Sequence, residues 1–148
     1  MLLGPLTHPE LLAALAAAGH GSKVLIADGN YPVRTTLGPN ATRVHLNLAP
    51  GQIAAPPVLE VLNQSIPIER AESMDWAREG PFALDAEPPI WSTYREVLGE
   101  AVPLEPVERF TFYEAAASPD VALVIATGEE AVYANLLLTV GVRTDAFG

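Results

Sequence analysis

A histidine and an aspartate flank one short apolar segment, and their side chains could hold or move protons. His20 lies in a Gly-His-Gly turn after an apolar helical stretch, and Asp28 follows the apolar run 24–27. An imidazole titrates near neutral pH and can both donate and accept a proton. In open α/β sheets, chemistry collects just past the carboxyl ends of the strands. The pattern therefore places two groups suited to proton chemistry in predicted loops.

Helices and strands alternate along the chain around these two residues. Thr7 and Glu10 have the spacing of a capping box, as do Thr111 and Glu114, so a helix is expected to start at each pair, the first reaching about Ala18. Apolar and alternating runs predict strands over 23–27, 42–48, 66–73, 107–110, 121–126 and 134–140. Turn and cap signals predict further helices over 58–63, 90–98 and 111–117, and a long loop over 75–89. This alternation predicts an α/β fold with a central, largely parallel or mixed sheet and helices on both faces.

The composition limits the partners that the chain is expected to bind. Its 148 residues suffice for one compact domain over 1–148, and 18 acidic against 8 basic residues give a net charge of −10. Such a surface disfavours nucleic acid and, more mildly, anionic substrates, whereas a neutral hydroxylated molecule fits. The chain has no cysteine, which excludes disulfides, thiolate zinc sites and cysteine nucleophiles. No run approaches the roughly 18 apolar residues of a membrane span, so no membrane association is expected.

Four segments carry a further pattern, and they keep one order along nearly the whole chain. They are the Gly-His-Gly turn leading to Asp28, the Asp-Gly-Asn-Tyr-Pro loop over 28–32, the Arg-Phe-Thr-Phe-Tyr-Glu segment over 109–114, and Thr-Gly-Glu over 127–129 followed by Tyr-Ala-Asn-Leu-Leu-Leu over 133–138 and Gly-Val over 141–142. Together they resemble the RbsD/FucU family, the ribose pyranases and fucose mutarotases. The segment 109–114 is similar to the fucose branch, whereas 42–44 is similar to the ribose branch, so the sugar itself stays open.

The resemblance implies a fold, an activity and an assembly. The fold is a three-layer α/β/α sandwich, and the activity is interconversion of the cyclic forms of a free monosaccharide, either anomers or pyranose and furanose. It implies a cytoplasmic homo-oligomer, from dimer to decameric ring, with sites near subunit contacts. Ring opening and closure need one proton delivered to the ring oxygen and one removed from the anomeric hydroxyl, so no metal or organic cofactor is expected.

The resemblance also implies roles for six residues. His20 is the proton donor, and Tyr113 is its partner in acid–base work. The other four residues bind the sugar. The Asp28 carboxylate accepts hydrogen bonds from sugar hydroxyls and could orient His20, and the planar donors of Arg109 hold hydroxyl oxygens. The Tyr133 phenol and the Asn135 amide also form hydrogen bonds with the sugar hydroxyls. Because the last two are two residues apart, on a strand they would point the same way.

Each candidate also has an ordinary structural interpretation. His20 can merely end a helix, Asp28 can begin an Asx turn, and Arg109 can form an ion pair with Glu105 or Glu108. The remaining three can be packing residues, Tyr113 against Phe110 and Phe112, and Tyr133 and Asn135 within a strand. The alternative functions are a non-catalytic sugar-binding or regulatory protein on the same scaffold and a metal-dependent sugar isomerase or lyase. The chain has no His-x-His or His-Glu-x-x-His spacing, which disfavours a metal site.

Overall fold

A computed structural model describes residues 1–144 of the chain. Its elements, in chain order, are α1 Pro9–Ala17, β1 Lys23–Ala27, β2 Thr42–His45, α2 Ala55–Asn63, β3 Ile68–Met74, α3 Pro89–Leu98, β4 Leu104–Val107, α4 Arg109–Ala116, β5 Val121–Ala126 and β6 Leu136–Val140. Among these described residues, no helix combines the length and the apolar character that crossing a bilayer requires.

The six strands form one sheet in the order β2-β5-β1-β6-β3-β4. The pairs β2–β5, β5–β1 and β3–β4 are parallel, whereas β6 runs antiparallel to both of its neighbours. Five strands therefore run in one direction and β6 alone runs in the other. This confirms the predicted largely parallel, mixed sheet.

The sheet is covered on both faces. Side chains such as Val24 and Ile26 pack into a cluster with residues of α1, α2 and α3. The alternate residues Leu25 and Ala27 face a second cluster formed with α4 and the loop 31–41. All four of these β1 residues have 0% exposure, which is why the strand reads as a continuous apolar run. The helices on both faces confirm the three-layer α/β/α arrangement.

Both predicted capping boxes are wrong, and in each case the residue that caps the helix lies elsewhere. In α1 the cap is His8, whose Nδ1 accepts a hydrogen bond from the Leu11 amide at 3.4 Å. In α4 the Glu108 carboxylate accepts from the Thr111 amide at 3.0 Å, so the helix begins at Arg109. A carboxylate at this position also interacts favourably with the helix dipole. The strand predicted over 107–110 lies earlier instead, at Leu104–Val107.

Local hydrogen bonds also shift other predicted boundaries. The strand predicted over 42–48 ends at His45, because the Leu48 and Ala49 amides both donate to the Gln52 carbonyl in a tight turn. Helix α2 begins at Ala55, three residues before the predicted start, with the two prolines Pro56 and Pro57 in its first turn. Proline is tolerated there because the first-turn amides have no partner within the helix.

Gly128 lies where the 49–53 turn packs against the end of β5. Its amide donates to the Ile53 carbonyl and its carbonyl accepts from the Gly51 amide, both at 2.7 Å. A Cβ atom at this position would lie 2.4 Å from the Gln52 carbonyl oxygen and 2.6 Å from that of Ala49. Both obstacles are backbone atoms, so they cannot rotate away.

We expect Gly128→Ala to lower the free energy of unfolding by about 1–3 kcal/mol, because the added methyl group forces backbone displacement. Urea denaturation followed by circular dichroism measures the change. Gly19→Ala is the matched control, since a Cβ there meets nothing within 4 Å. Equal stability of the two variants would contradict the packing described for the 49–53 turn.

Candidate functional site

A cavity of about 360 Å³ opens at the edge of the sheet where β1 ends. Five of the six candidate residues line it, and only His20 does not. The lining residues are Asp28, Asn30, Tyr31, Met74, Phe82, Arg109, Tyr113, Val132, Tyr133 and Asn135. The lining comes from five separate parts of the chain, and three of them, around Asp28, Arg109 and Tyr133, belong to the motifs quoted from the sequence. The other two are Met74 and Phe82.

The Asp28 and Asn135 side chains form a reciprocal pair at the base of the cavity. The Asp28 amide donates to Asn135 Oδ1 at 2.8 Å, and Asn135 Nδ2 donates to Asp28 Oδ2 at 3.1 Å. The Asn30 amide donates to Asp28 Oδ1 at 3.0 Å, so the residue does form the Asx turn that its sequence context suggests. Asp28 and Asn135 are each only 5% exposed. The Asp28 side chain therefore forms the Asx turn and also lines the cavity, so the structural role does not exclude the predicted binding role.

The pKa of the Asp28 carboxyl group is raised above its ordinary value of 3.8. Burial is the main cause, because removing a carboxylate from water disfavours its charged form. Hydrogen bonds from the Asn30, Ala134 and Tyr31 amides oppose the shift, and the negative charge of Glu129 adds to it.

Two stacked tyrosines form one wall of the cavity. The rings of Tyr31 and Tyr113 lie 5.6 Å apart, centroid to centroid, at an interplanar angle of 28°. The alternative in which Tyr113 packs with Phe110 and Phe112 holds only for the second, because Phe110 is 71% exposed, whereas Phe112 is fully buried in the cluster against which Tyr113 packs. Tyr31 is a lining residue that our sequence reasoning did not select, although it lies within the quoted loop 28–32.

Arg109 is the cationic residue among those that line this cavity. Its guanidinium carbon lies 5.9 Å from the centre of the Tyr113 ring. The alternative ion pairs are wrong, because the Glu105 carboxylate binds Arg70 at 2.9 Å and Glu108 caps α4. Within residues 1–144, Arg109 forms no salt bridge. Its donors are therefore available to a ligand.

Tyr133 and Asn135 reach the cavity by a route different from the one predicted. The strand predicted over 134–140 begins only at Leu136, so neither residue lies on it. Tyr133 instead adopts a left-handed backbone conformation with φ 55°. Its hydroxyl group donates to the Phe82 carbonyl at 2.7 Å, which ties it to the loop 75–88. The two side chains share the cavity because a turn, and not strand alternation, orients them.

His20 lies at the opposite end of β1 from Asp28. A strand of five residues is about 16 Å long at ~3.3 Å per residue, so the imidazole is remote from its own chain's cavity. Its Nε2 lies 3.1 and 3.2 Å from the two carboxylate oxygens of Glu69. Within the chain, Glu69 and not Asp28 therefore contacts the histidine ring. Glu69 is 49 residues away in sequence, and no local spacing could have identified it.

The described residues offer no metal site of the usual kind. Between residues 1 and 144, no group of three or more His, Cys, Asp or Glu side chains stands close enough together to hold a metal ion. The carboxylate of Asp28 is engaged with an amide and a backbone N–H group, as described above. The side chains that line the cavity offer hydrogen-bond donors and acceptors to a polar ligand.

Comparisons with known proteins agree with this geometry. Residues 1–143 match the model of the RbsD / FucU transport protein family. The chain is 36% identical over 143 residues to the fucose mutarotase of Danio rerio, covering 90% of this chain and 88% of that protein. The structure of FucU from Bifidobacterium longum superposes with a TM-score of 0.78 at 33% identity, covering 93% of this chain and 95% of the other. The fucose mutarotase of Streptococcus pneumoniae in complex with L-fucose superposes with a TM-score of 0.75 at 27% identity, covering 97% of this chain and all of the other.

The buried Asp28 carboxyl group should titrate above pH 3.8 in the folded chain. Because the folded state then holds this proton to a higher pH than the unfolded state, ionisation of Asp28 lowers stability as pH rises through that interval. Carboxyl ¹³C NMR of aspartate-labelled protein measures the midpoint, with Asp28→Asn to assign the resonance. A midpoint at or below 3.8 would contradict the burial described here.

Proposed function

The chain belongs to the RbsD/FucU family, and from this premise we propose that it is a monosaccharide mutarotase or pyranase. It interconverts cyclic forms of a free sugar such as L-fucose or D-ribose by general acid–base catalysis. The observation that carries this proposal is the convergence of a carboxylate, an amide, a guanidinium group and two phenols on one cavity, Asp28, Asn135, Arg109, Tyr113 and Tyr133. Relatives at 36% identity over most of the chain are fucose mutarotases.

The donors and acceptors of the cavity suit a polyol. The Asp28 carboxylate can only accept hydrogen bonds, and the free Arg109 guanidinium can only donate them. The Tyr133 hydroxyl proton is already directed to the Phe82 carbonyl, so the oxygen lone pairs remain to accept from a sugar hydroxyl. Asn135 keeps one N–H, since its other contacts are with Asp28. A sugar hydroxyl both donates and accepts, and it can therefore satisfy either kind of partner.

The substrate in this proposal is an unphosphorylated sugar. The chain carries a net charge of −10, and Asp28 at the base of the cavity accepts rather than donates hydrogen bonds. Arg109 is the single cation in the described lining, so a phosphate would meet one positive group in a mostly acidic protein. A free sugar carries no such charge and leaves Arg109 to bind hydroxyl oxygens.

The proton-transfer groups in this proposal are His20 and Tyr113. A carboxylate only accepts hydrogen bonds, so the contact of Glu69 with Nε2 assigns the ring proton to that nitrogen. The Nδ1 atom of His20 is then the one left to exchange a proton with substrate, donating it from the doubly protonated ring and accepting it in the neutral ring. Tyr113 lines the cavity beside Arg109, whose guanidinium carbon is 5.9 Å from the centre of the Tyr113 ring.

We further propose that His20 acts in the cavity of a second copy of the chain. Two features support this: the ring is remote from its own cavity, and its side chain is 58% exposed and so free to enter a contact. The protein would then function as a homo-oligomer, from dimer to decamer, in the cytoplasm. The absence of cysteine is compatible with that compartment.

Saturation-transfer NMR tests the activity directly on L-fucose and D-ribose at anomeric equilibrium. We expect the protein to accelerate exchange between the cyclic forms of at least one sugar, and His20→Ala to slow it by about 10²–10⁴-fold. His45→Ala is the matched control, since His45 is exposed and does not line the cavity.

Three outcomes of this measurement separate the candidate functions. Accelerated exchange that persists with a chelator supports the proposal. Shifted sugar resonances without faster exchange would instead favour the non-catalytic sugar-binding protein. Loss of exchange on adding a chelator would favour a metal-dependent isomerase.

Mixing two inactive variants tests whether the site is shared between copies. We expect His20→Ala and Tyr113→Phe chains each to lose exchange alone and to recover part of it after joint refolding. In mixed assemblies, some contacts then join an intact imidazole to an intact cavity. Tyr113→Phe keeps the stacked ring, so the cavity wall is preserved. No recovery, in a mixture that sedimentation shows to contain mixed oligomers, would contradict the shared site.

A further inference from the structure

Two buried aromatic residues of α3 hold the turn that carries Tyr133 and Asn135. Trp91 and Tyr94 lie one helical turn apart, and both have 0% exposure. Trp91 Nε1 donates to the Tyr133 carbonyl at 2.8 Å. The Tyr94 hydroxyl donates to the Ala134 carbonyl at 2.6 Å. Two side chains of α3 therefore donate hydrogen bonds to two consecutive carbonyl groups of the turn.

The bound turn has a conformation that needs external support. Tyr133 is the only non-glycine residue among 1–144 with a positive φ, at 55°, and this region is unfavourable for a side chain with a Cβ atom. The Trp91 bond is to the carbonyl of this same residue. Strained residues of this kind persist only where the surroundings over-determine them, and they cluster at functional sites.

The same bonds direct the polar groups of the cavity. With the carbonyls of residues 133 and 134 facing α3, the Tyr133 and Asn135 side chains line the cavity on the other side of the turn. Asn135 in turn holds the Asp28 backbone and carboxylate. Phenylalanine at positions 91 and 94 would fill most of the same space, but it would offer no donor to either carbonyl.

We infer that Trp91 and Tyr94 are positioning residues for the sugar site, acting through the turn 133–135 and never touching the sugar. The inference rests on the proposed function for its kinetic consequence. Their N–H and O–H groups fix the placement of the Tyr133 phenol and the Asn135 amide. A binding group displaced by about 1 Å can cost up to ~10²-fold, even when the change is remote from the chemistry.

Tyr94→Phe tests this inference by removing one oxygen atom. We expect KM for the exchanged sugar to rise by about 10-fold or more, with a smaller change in kcat, because the displaced groups bind ground and transition states alike. In the sugar-free protein, the Asn135 side-chain amide resonances and the Asp28 backbone resonance should shift. Tyr94→Phe should weaken sugar binding less in an Asn135→Ala background than in the unaltered chain, because one of the two groups that it displaces is then already absent.

Leu62→Ala is the control for a merely structural effect. Leu62 is fully buried in the same core cluster on α2 and offers no donor to the turn, so its loss lowers stability without releasing the two carbonyls. If Tyr94→Phe lowered Tm like Leu62→Ala but left KM and the Asn135 resonances unchanged, the inference would be overturned. If Tyr94→Phe does not fold, Trp91→Phe is tested with the same measurements, KM and the Asn135 and Asp28 resonances. Because the resonances are read without sugar, they decide the inference even if the chain proves to have no exchange activity.

Discussion

The site depends on the reciprocal hydrogen bonds between Asp28 and Asn135. These two residues lie immediately beyond β1 and immediately before β6, which are adjacent antiparallel strands. A buried carboxylate without partners is costly, whereas hydrogen bonds to a charged group contribute about 1.5–3 kcal/mol each. The pair therefore does two things at once: it closes the sheet edge where two strands separate, and it presents an acceptor and an amide to the cavity. Removing the Asn135 side chain leaves Asp28 Oδ2 and the Asp28 amide without this partner, and removing the Asp28 side chain leaves Asn135 Nδ2 without it.

Because strand β6 runs antiparallel to its neighbours, it connects the end of the sheet that carries Asp28 and Asn135 with the end that carries the histidine turn. Because β6 runs against its neighbours, its start lies beside the end of β1, where Asp28 and Asn135 meet. Its last residue lies beside the histidine turn, where the Gly21 amide donates to the Val140 carbonyl at 2.9 Å. In an all-parallel sheet, the segment 129–135 would arrive at the other edge and could not face Asp28. The antiparallel direction of β6 is therefore what brings Asn135 beside Asp28.

The sequence predicted the parts of this structure that are set by local pattern. The buried strands β1 and β5 follow from unbroken apolar runs, and the alternation of elements predicted the layered fold. Five site residues were identified by motifs and do share a cavity. What escaped prediction depends on contacts between distant segments. The left-handed Tyr133 is held by α3, and the histidine partner Glu69 comes from β3. Even the caps His8 and Glu108 were missed, because a Thr-x-x-Glu spacing marks a helix start only approximately.

The separation of His20 from the cavity has a consequence for how the proposed enzyme can work. β1 is fully buried from Val24 to Ala27 and paired on both sides, so it cannot bend to bring its two ends together. In the proposed mechanism, a proton donor at one edge and a sugar site at the other would therefore meet only across two copies of the chain. In that mechanism the contact between copies would be part of the chemistry, since disrupting it would separate His20 from Tyr113 without altering either group. The His20–Glu69 contact is exposed in the single chain, where a surface pair of this kind contributes little to stability. At the proposed subunit contact, the same Glu69 carboxylate would hold the imidazole ring in place for the neighbouring cavity.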